Sequence, residues 1–263
     1  MPLRTKILIA SLAASGVILV LLLELLFRKI TGHIIFIPTA AVALLAIYFL
    51  FVYYPKFDFT FSTFWHGDRR NNTIALTFDD GPGPDTPAIL DILKEHGIKA
   101  TFFILGENAA RYPEFVERAR AEGHAIGNHG TSHVKMHRLS SEEIKNELNS
   151  AEKTIGEISK RHGKKIMRSP HGFKSFTFIS VLRGMNYTPI AWTTGVWDSD
   201  RPGADVIASR ALKALKPGCI LLLHDGDGTK PDADRRQTAE ALEKIIADFL
   251  RAGYKFATIP DMQ

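Results

Sequence analysis

A single cysteine, Cys219, stands among 263 residues, so no disulfide can form within the chain. It reads as a buried strand residue rather than a nucleophile, as free cysteines usually are. No internal repeat or low-complexity tract occurs, and one folded domain is the economical reading. No zinc finger, Gly-rich phosphate loop or aromatic recognition box is visible, and the basic residues are dispersed, which excludes nucleic acid as a partner. No G-x-S-x-G occurs, and no serine falls at a predicted strand end beside a histidine, so serine-based hydrolysis has no support. No protein partner and no carbohydrate-binding appendage is evident. The net charge is +5, from 33 basic and 28 acidic residues. That balance suits contact with anionic lipid or acidic substrates and requires neither.

What is abundant is apolar sequence at the amino end. Residues 7–27, "ILIASLAASGVILVLLLELLF", and 34–54, "IIFIPTAAVALLAIYFLFVYY", are each long enough to cross a bilayer as a helix. Glu24 and Pro38 interrupt them only near their ends, where the cost is lowest. A cleaved signal peptide is the rival for the first run, but no small-x-small site follows a short apolar core. The expectation is a two-helix transmembrane hairpin within residues 1–56, an aromatic interfacial linker over 57–71, and a catalytic domain over 72–263. The chain is then a two-pass integral protein of a bacterial cytoplasmic membrane, with membrane lipid as a partner. Five basic residues outside the hairpin (Arg4, Lys6, Lys56, Arg69, Arg70) against Arg28 and Lys29 within it lean the domain towards the cytoplasmic side.

From residue 72 onward, short β-branched or aromatic runs alternate with longer amphipathic ones, the pattern of an α/β fold. Strands are expected near 73–79, 100–104, 124–127, 166–168, 188–192, 219–223 and 255–258. The helix opening at "TPAILDILKEHG" stops at Gly97. A second opens with Ser140 and Glu143 in capping-box spacing and ends at Gly163. Such alternation fits a closed barrel or an open parallel sheet, and in both the sites collect beyond the carboxyl ends of strands. Those ends carry Asp79 and Asp80, Asn128 and His129, Arg168, and His224 and Asp225, while Asp198 follows the fifth strand. Chemistry therefore gathers on one rim.

Two stretches sharpen this. "LTFDDGPGPD" puts adjacent acids at a strand end, where a solvated turn is the plain alternative. "GNHGTSHVKMH" places His129 and His133 four apart, with His137 as a rival to His129. Two imidazoles and one carboxylate make the ligand set of an open catalytic zinc site, and the second carboxylate stays free as a general base. Cobalt, nickel or manganese could take the same ligands.

"TFDDGP", "KATFFILGENAARYPE", "EGHAIGNHGTSH", "RSPHG" and "ILLLHD" resemble, in order and separation, the motifs of the NodB-type polysaccharide deacetylases, carbohydrate esterase family four. The resemblance covers about residues 72–260 and implies a distorted (β/α) barrel that hydrolyses N-acetyl groups of amino sugars with one divalent metal ion. It implies Asp79 as general base, Asp80, His129 and His133 as metal ligands, and His224 as general acid. Arg168 would orient Asp79, and Pro170 would shape the groove. The backbone amide after Pro170 is a second oxyanion donor in this reading. Two departures stand out: His171 replaces the usual aromatic residue, and Gly195 occupies the place of the first acid of "WxxD". Asp198 matches that motif's second acid and Ser199 replaces its tryptophan, so the tautomer of His224 rests on Asp198 or Asp200. An altered pocket is expected, on an N-acetylated glycan or lipid-linked sugar. A deformylase or other amidase, and a catalytically degraded glycan-binding membrane protein, are the alternatives.

Overall fold

The computed structural model describes residues 15, 16, 18, 19, 21–23, 25, 26, 28, 29, 36–58, 60, 62–159 and 165–263. Helix α1 (Phe36–Tyr53) precedes β1 (Thr73–Asp79), α2 (Thr86–Glu95), β2 (Thr101–Ile104), α3 (Gly106–Arg111), α4 (Pro113–Ala121) and β3 (Ala125–Asn128). There follow α5 (Ser141–Ser159), β4 (Lys165–Met167), α6 (Phe176–Gly184), β5 (Tyr187–Pro189), β6 (Thr194–Gly195), α7 (Ala204–Lys213), β7 (Ile220–His224), α8 (Arg236–Arg251), β8 (Lys255–Phe256) and α9 (Ile259–Met262). The strands pair in parallel in the order β5-β4-β3-β2-β1-β7-β6, with β8 joined to the start of β1. The sheet curls without closing: β5 and β6 are its edges, and the expected barrel is a half-barrel.

The period of two along a strand decides what faces where. In β1, Ile74, Leu76 and Phe78 join the main core with α2 and α8 residues such as Leu90, Leu93, Leu242 and Phe249. Ala75 belongs instead to the cluster inside the curl with Phe103, Ile166, Ile190 and Ile220. By the same alternation Thr77 and Asp79 face that interior. Gly127 is required there, because a Cβ would lie 2.5 Å from the Phe103 ring.

Local signals act as their chemistry demands. Gly97 takes φ +65°, the N–H of Ile98 reaches Leu93 O, and that of Gly97 reaches Lys94 O, a Schellman end to α2. Ser140 and Glu143 cap α5 reciprocally, Ser140 N–H donating to Glu143 at 2.8 Å and Glu143 N–H to Ser140 Oγ at 3.3 Å. The helix end expected at Gly163 lies outside the described residues.

Among the described residues no helix is long and apolar enough to cross a membrane. This corrects the two-span hairpin, and with it the integral-membrane location, the cytoplasm-facing topology and the lipid partner. The expected first span, 7–27, falls mostly outside the described residues. The second, 34–54, contains α1, whose 18 residues rise about 27 Å against a hydrocarbon core of ~30 Å. Its last turn is also committed to protein. Phe51 and Val52 are buried with Met136, Ile144, Leu148, Met167 and Phe178. Val52 O and Pro55 O accept hydrogen bonds from Lys174 N–H and Nζ at 3.2 and 3.0 Å. Earlier on the same helix, Leu44 and Leu45 are exposed. The aromatic run expected at a lipid interface lies along the open seam of the sheet: Phe64 N–H bonds Pro189 O, Ala191 N–H bonds Phe64 O, and Thr193 Oγ1 bonds Trp65 O.

Phe51→Ala is expected to lower stability by about 3–5 kcal/mol, the range for a fully buried Phe. Urea unfolding monitored by circular dichroism checks this, and an unchanged midpoint would mean that the end of α1 is not part of the core.

Candidate active site

Strand register assembles the site. Asp79 pairs with His224 across β1 and β7, and with Phe103 across β1 and β2. Asn128 pairs with Met167 across β3 and β4, so His129 and Arg168 leave adjacent strand ends together. Asp80 turns away from the strand at φ +71°. Its Oδ1 lies 3.2 Å from His129 Nε2 and 3.0 Å from His133 Nε2, and the three ligand atoms are all within 4.8 Å of one another.

This cluster fits a divalent ion. Asp80 Oδ1 is buried and has no hydrogen-bond partner, while Oδ2 is satisfied by Gly228 N–H at 3.0 Å. His129 Nδ1–H donates to Arg168 O at 2.8 Å, which leaves the Nε2 lone pair aimed at the cluster. His137, the rival ligand, packs instead edge-on against Tyr53 and Phe173, with centroids 5.7 and 5.0 Å away.

Beside the cluster, Arg168 is completely buried. Its Nη1 donates to Asp79 Oδ1 at 2.7 Å and to Thr77 Oγ1 at 2.8 Å, and Nη2 donates to Ala191 O at 3.0 Å. The guanidinium lies 4.1 Å above the Phe103 ring. Opposite, His224 Nδ1–H donates to Asp198 Oδ1 at 2.9 Å, while His224 N–H and Thr238 Oγ1 hold Oδ2 at 2.7 and 3.0 Å. Burial disfavours the imidazolium, but the Asp198 carboxylate outweighs it and raises the His224 pKa to about 9. Nδ1–H is committed to Asp198, so in the imidazolium the Nε2 proton is the one free to be transferred. Asp200, the other candidate for this duty, is exposed.

The departures from the expected motifs are thereby located. Gly195 lines the cleft beside Leu222 and the Trp192 indole, where an acid was awaited. Pro170 is buried in a short 3-10 turn, Pro170–Gly172. His171, at φ +60°, puts its ring 4.5 Å from that of His133 at the mouth. The cleft encloses about 260 Å³ and is also lined by Trp197, Ser199, Asp227 and Arg235. Sequence reading missed Trp192, Trp197 and the Gly228 amide. For the amide, the signal was the pair of glycines, Gly226 and Gly228, just after "HD".

Replacing Asp198 with Asn removes the largest charge that offsets burial, so the His224 pKa should fall from about 9. An NMR titration of the His224 ring reads this directly, and an unmoved titration would assign the raised pKa to another group.

Comparison with known proteins gives concordant results. The model of the polysaccharide deacetylase family matches residues 66–190. A peptidoglycan-N-acetylglucosamine deacetylase of Bacillus cereus is 34% identical over 213 residues, covering 81% of this chain and 74% of that protein. A chitooligosaccharide deacetylase of Bradyrhizobium sp. is 34% identical over 75% of this chain and 94% of its own length. The crystal structure of a peptidoglycan N-acetylglucosamine deacetylase in complex with 4-naphthalen-1-yl-N-oxidanyl-benzamide superposes with a TM-score of 0.72. It is 33% identical and covers 77% of this chain and 93% of that one.

Proposed function

The chain belongs to the NodB-type polysaccharide deacetylases, and we propose that it removes the N-acetyl group from N-acetylglucosamine units of a glycan, with residues 72–263 as the catalytic unit. At the coarser level it is a metal-dependent hydrolase, a deacetylase of amino-sugar N-acetyl groups. The observation that carries the reading is the convergence of Asp80, His129 and His133 between a paired carboxylate, Asp79, and a carboxylate-bound imidazole, His224. The choice of sugar is supported by relatives that act on peptidoglycan N-acetylglucosamine and on chitooligosaccharides.

In this reading Asp80, His129 and His133 hold the ion, and a set of two nitrogens and one oxygen favours zinc. When bound, such an ion polarises an acyl carbonyl and lowers the pKa of water. Asp79, steered by Arg168, takes the proton of the attacking water. The backbone N–H of His171 faces the developing oxyanion, and Pro170 fixes that turn. His224, kept protonated by Asp198, gives its Nε2 proton to the departing amine, without which an amide nitrogen is a poor leaving group. A cleft of about 260 Å³ is at the small end of ligand sites. It suits one sugar unit seated with its acyl group inward while the neighbouring units lie outside.

Acetate release from chitooligosaccharides and from peptidoglycan fragments tests the proposal. Activity should vanish on chelation and return with zinc. Asp79→Asn should keep its metal and lose about 10²–10⁴ in kcat, the usual contribution of a general base, and full activity in that variant would remove Asp79 from the role. His129→Ala should lose metal, as metal analysis would show, and normal content would require another ligand. Because His224 must donate a proton, kcat/KM should fall as pH rises through about 9 and fall earlier in Asp198→Asn.

A further inference from the structure

Asp80 is held in a backbone conformation that an L residue seldom adopts, φ +71°, at a cost on the order of 1–3 kcal/mol. Such a conformation persists only where neighbours over-determine it. One neighbour bonds both this residue and the loop that meets its side chain. Asn108, in α3 and 1% exposed, donates from Nδ2 to Asp80 O at 2.7 Å and to Gly228 O at 2.7 Å. Its Oδ1 accepts from Arg111 Nη1 at 2.7 Å, and the same nitrogen reaches Thr229 O at 3.2 Å, so the carboxamide has one orientation that satisfies all partners. Gly228, thus fastened, returns its N–H to Asp80 Oδ2.

The loop has no slack. A Cβ on Gly226 would overlap Asp80 O, and one on Gly228 would stand 3.2 Å from His133 Nδ1. The start of α3 is tied to the other ligand-bearing segments as well. Leu105 N–H bonds Gly81 O at 3.0 Å, Gly106 N–H bonds Gly130 O at 2.9 Å and Glu107 N–H bonds Thr131 O at 3.1 Å. These acceptors adjoin Asp80 and His129 and precede His133.

We propose that Asn108 is a positioning residue of the metal centre: by joining Asp80 O to Gly228 O it keeps the Gly228 N–H on Oδ2 and leaves Oδ1 as the coordinating oxygen. The proposal rests on the metal-centre reading above. Loss of a partner that orients a ligand weakens metal binding by about 10–100-fold, and Asn108 acts through such a partner.

The test is titration of Co²⁺ into the metal-free full chain, followed by calorimetry and by the visible absorption of the bound ion. Thermal melting of each metal-free variant shows that it is folded. Asn108→Ala is expected to bind Co²⁺ about 10–100-fold more weakly, with an altered absorption band. Arg111→Met, which frees only the far side of the carboxamide, should shift affinity less and in the same direction. Wild-type affinity and spectrum in both variants would overturn the proposal while leaving the metal centre standing. If Asn108→Ala does not fold, wild-type affinity in Arg111→Met overturns it alone. Absence of Co²⁺ uptake by the wild-type chain would overturn the metal reading itself and this proposal with it.

Discussion

A guanidinium with no exposure inside a curled sheet is the constraint around which this protein is arranged. Removing such an ion from water costs several kcal/mol even after relaxation, and only close pairing and complete hydrogen bonding offset it. Arg168 obtains the pairing from Asp79 and hydrogen bonds at both Nη atoms from Asp79, Thr77 and Ala191, while its Nε is buried without a partner and the guanidinium lies over the Phe103 face. Thr77 in turn donates its hydroxyl hydrogen bond to Leu221 O at 2.7 Å, which ties the arrangement to β7. The same residue works through its main chain, because its carbonyl fixes the tautomer of His129. A single amino acid therefore sets the orientation of the proposed base and the availability of a proposed ligand. Half of the buried pair cannot be removed without leaving the other half uncompensated.

The electrostatic plan divides into two halves. On the Asp79 side a cation is paired with the carboxylate. On the His224 side a carboxylate is paired with the imidazole, and the His224 pKa is raised to about 9. The Arg168 pair fixes where the Asp79 carboxylate points and the Asp198 pair keeps the His224 imidazole protonated, so the proposed base and the proposed acid face one cleft.

Much of this was legible in the chain. The alternation of short and amphipathic runs located the strands, and Gly97 and the Ser140–Glu143 box marked helix ends for local reasons. The gathering of Asp79, Asp80, His129, Arg168 and His224 on one rim followed from reading strand ends alone. The two-residue β6 was not legible, being too short to carry a period and existing only by pairing with β7. Nor was the choice of Asp198 over Asp200, which depends on an excursion at Trp197 and Arg201 into the left-handed region, with φ +58° and +52°. The apolar amino end misled because composition reports only that a surface avoids water. Phe51 and Val52 avoid it against Met136 and Phe178, and nothing in their identity distinguishes that surrounding from lipid.

The sheet order has a consequence for biosynthesis. β1 is among the first strands made, but its β7 neighbour lies about 144 residues further along, and Thr238, which steadies Asp198, comes later still. As the chain leaves the ribosome, Asp79 waits for Arg168 and then for the strand bearing His224, while β8 completes the start of β1 almost at the carboxyl end. Long sequence separation makes such assembly slow. It also means that a chain stopped short of α8 carries Asp79, Asp80, His129, His133 and His224 without Thr238, the residue that steadies Asp198 beside His224.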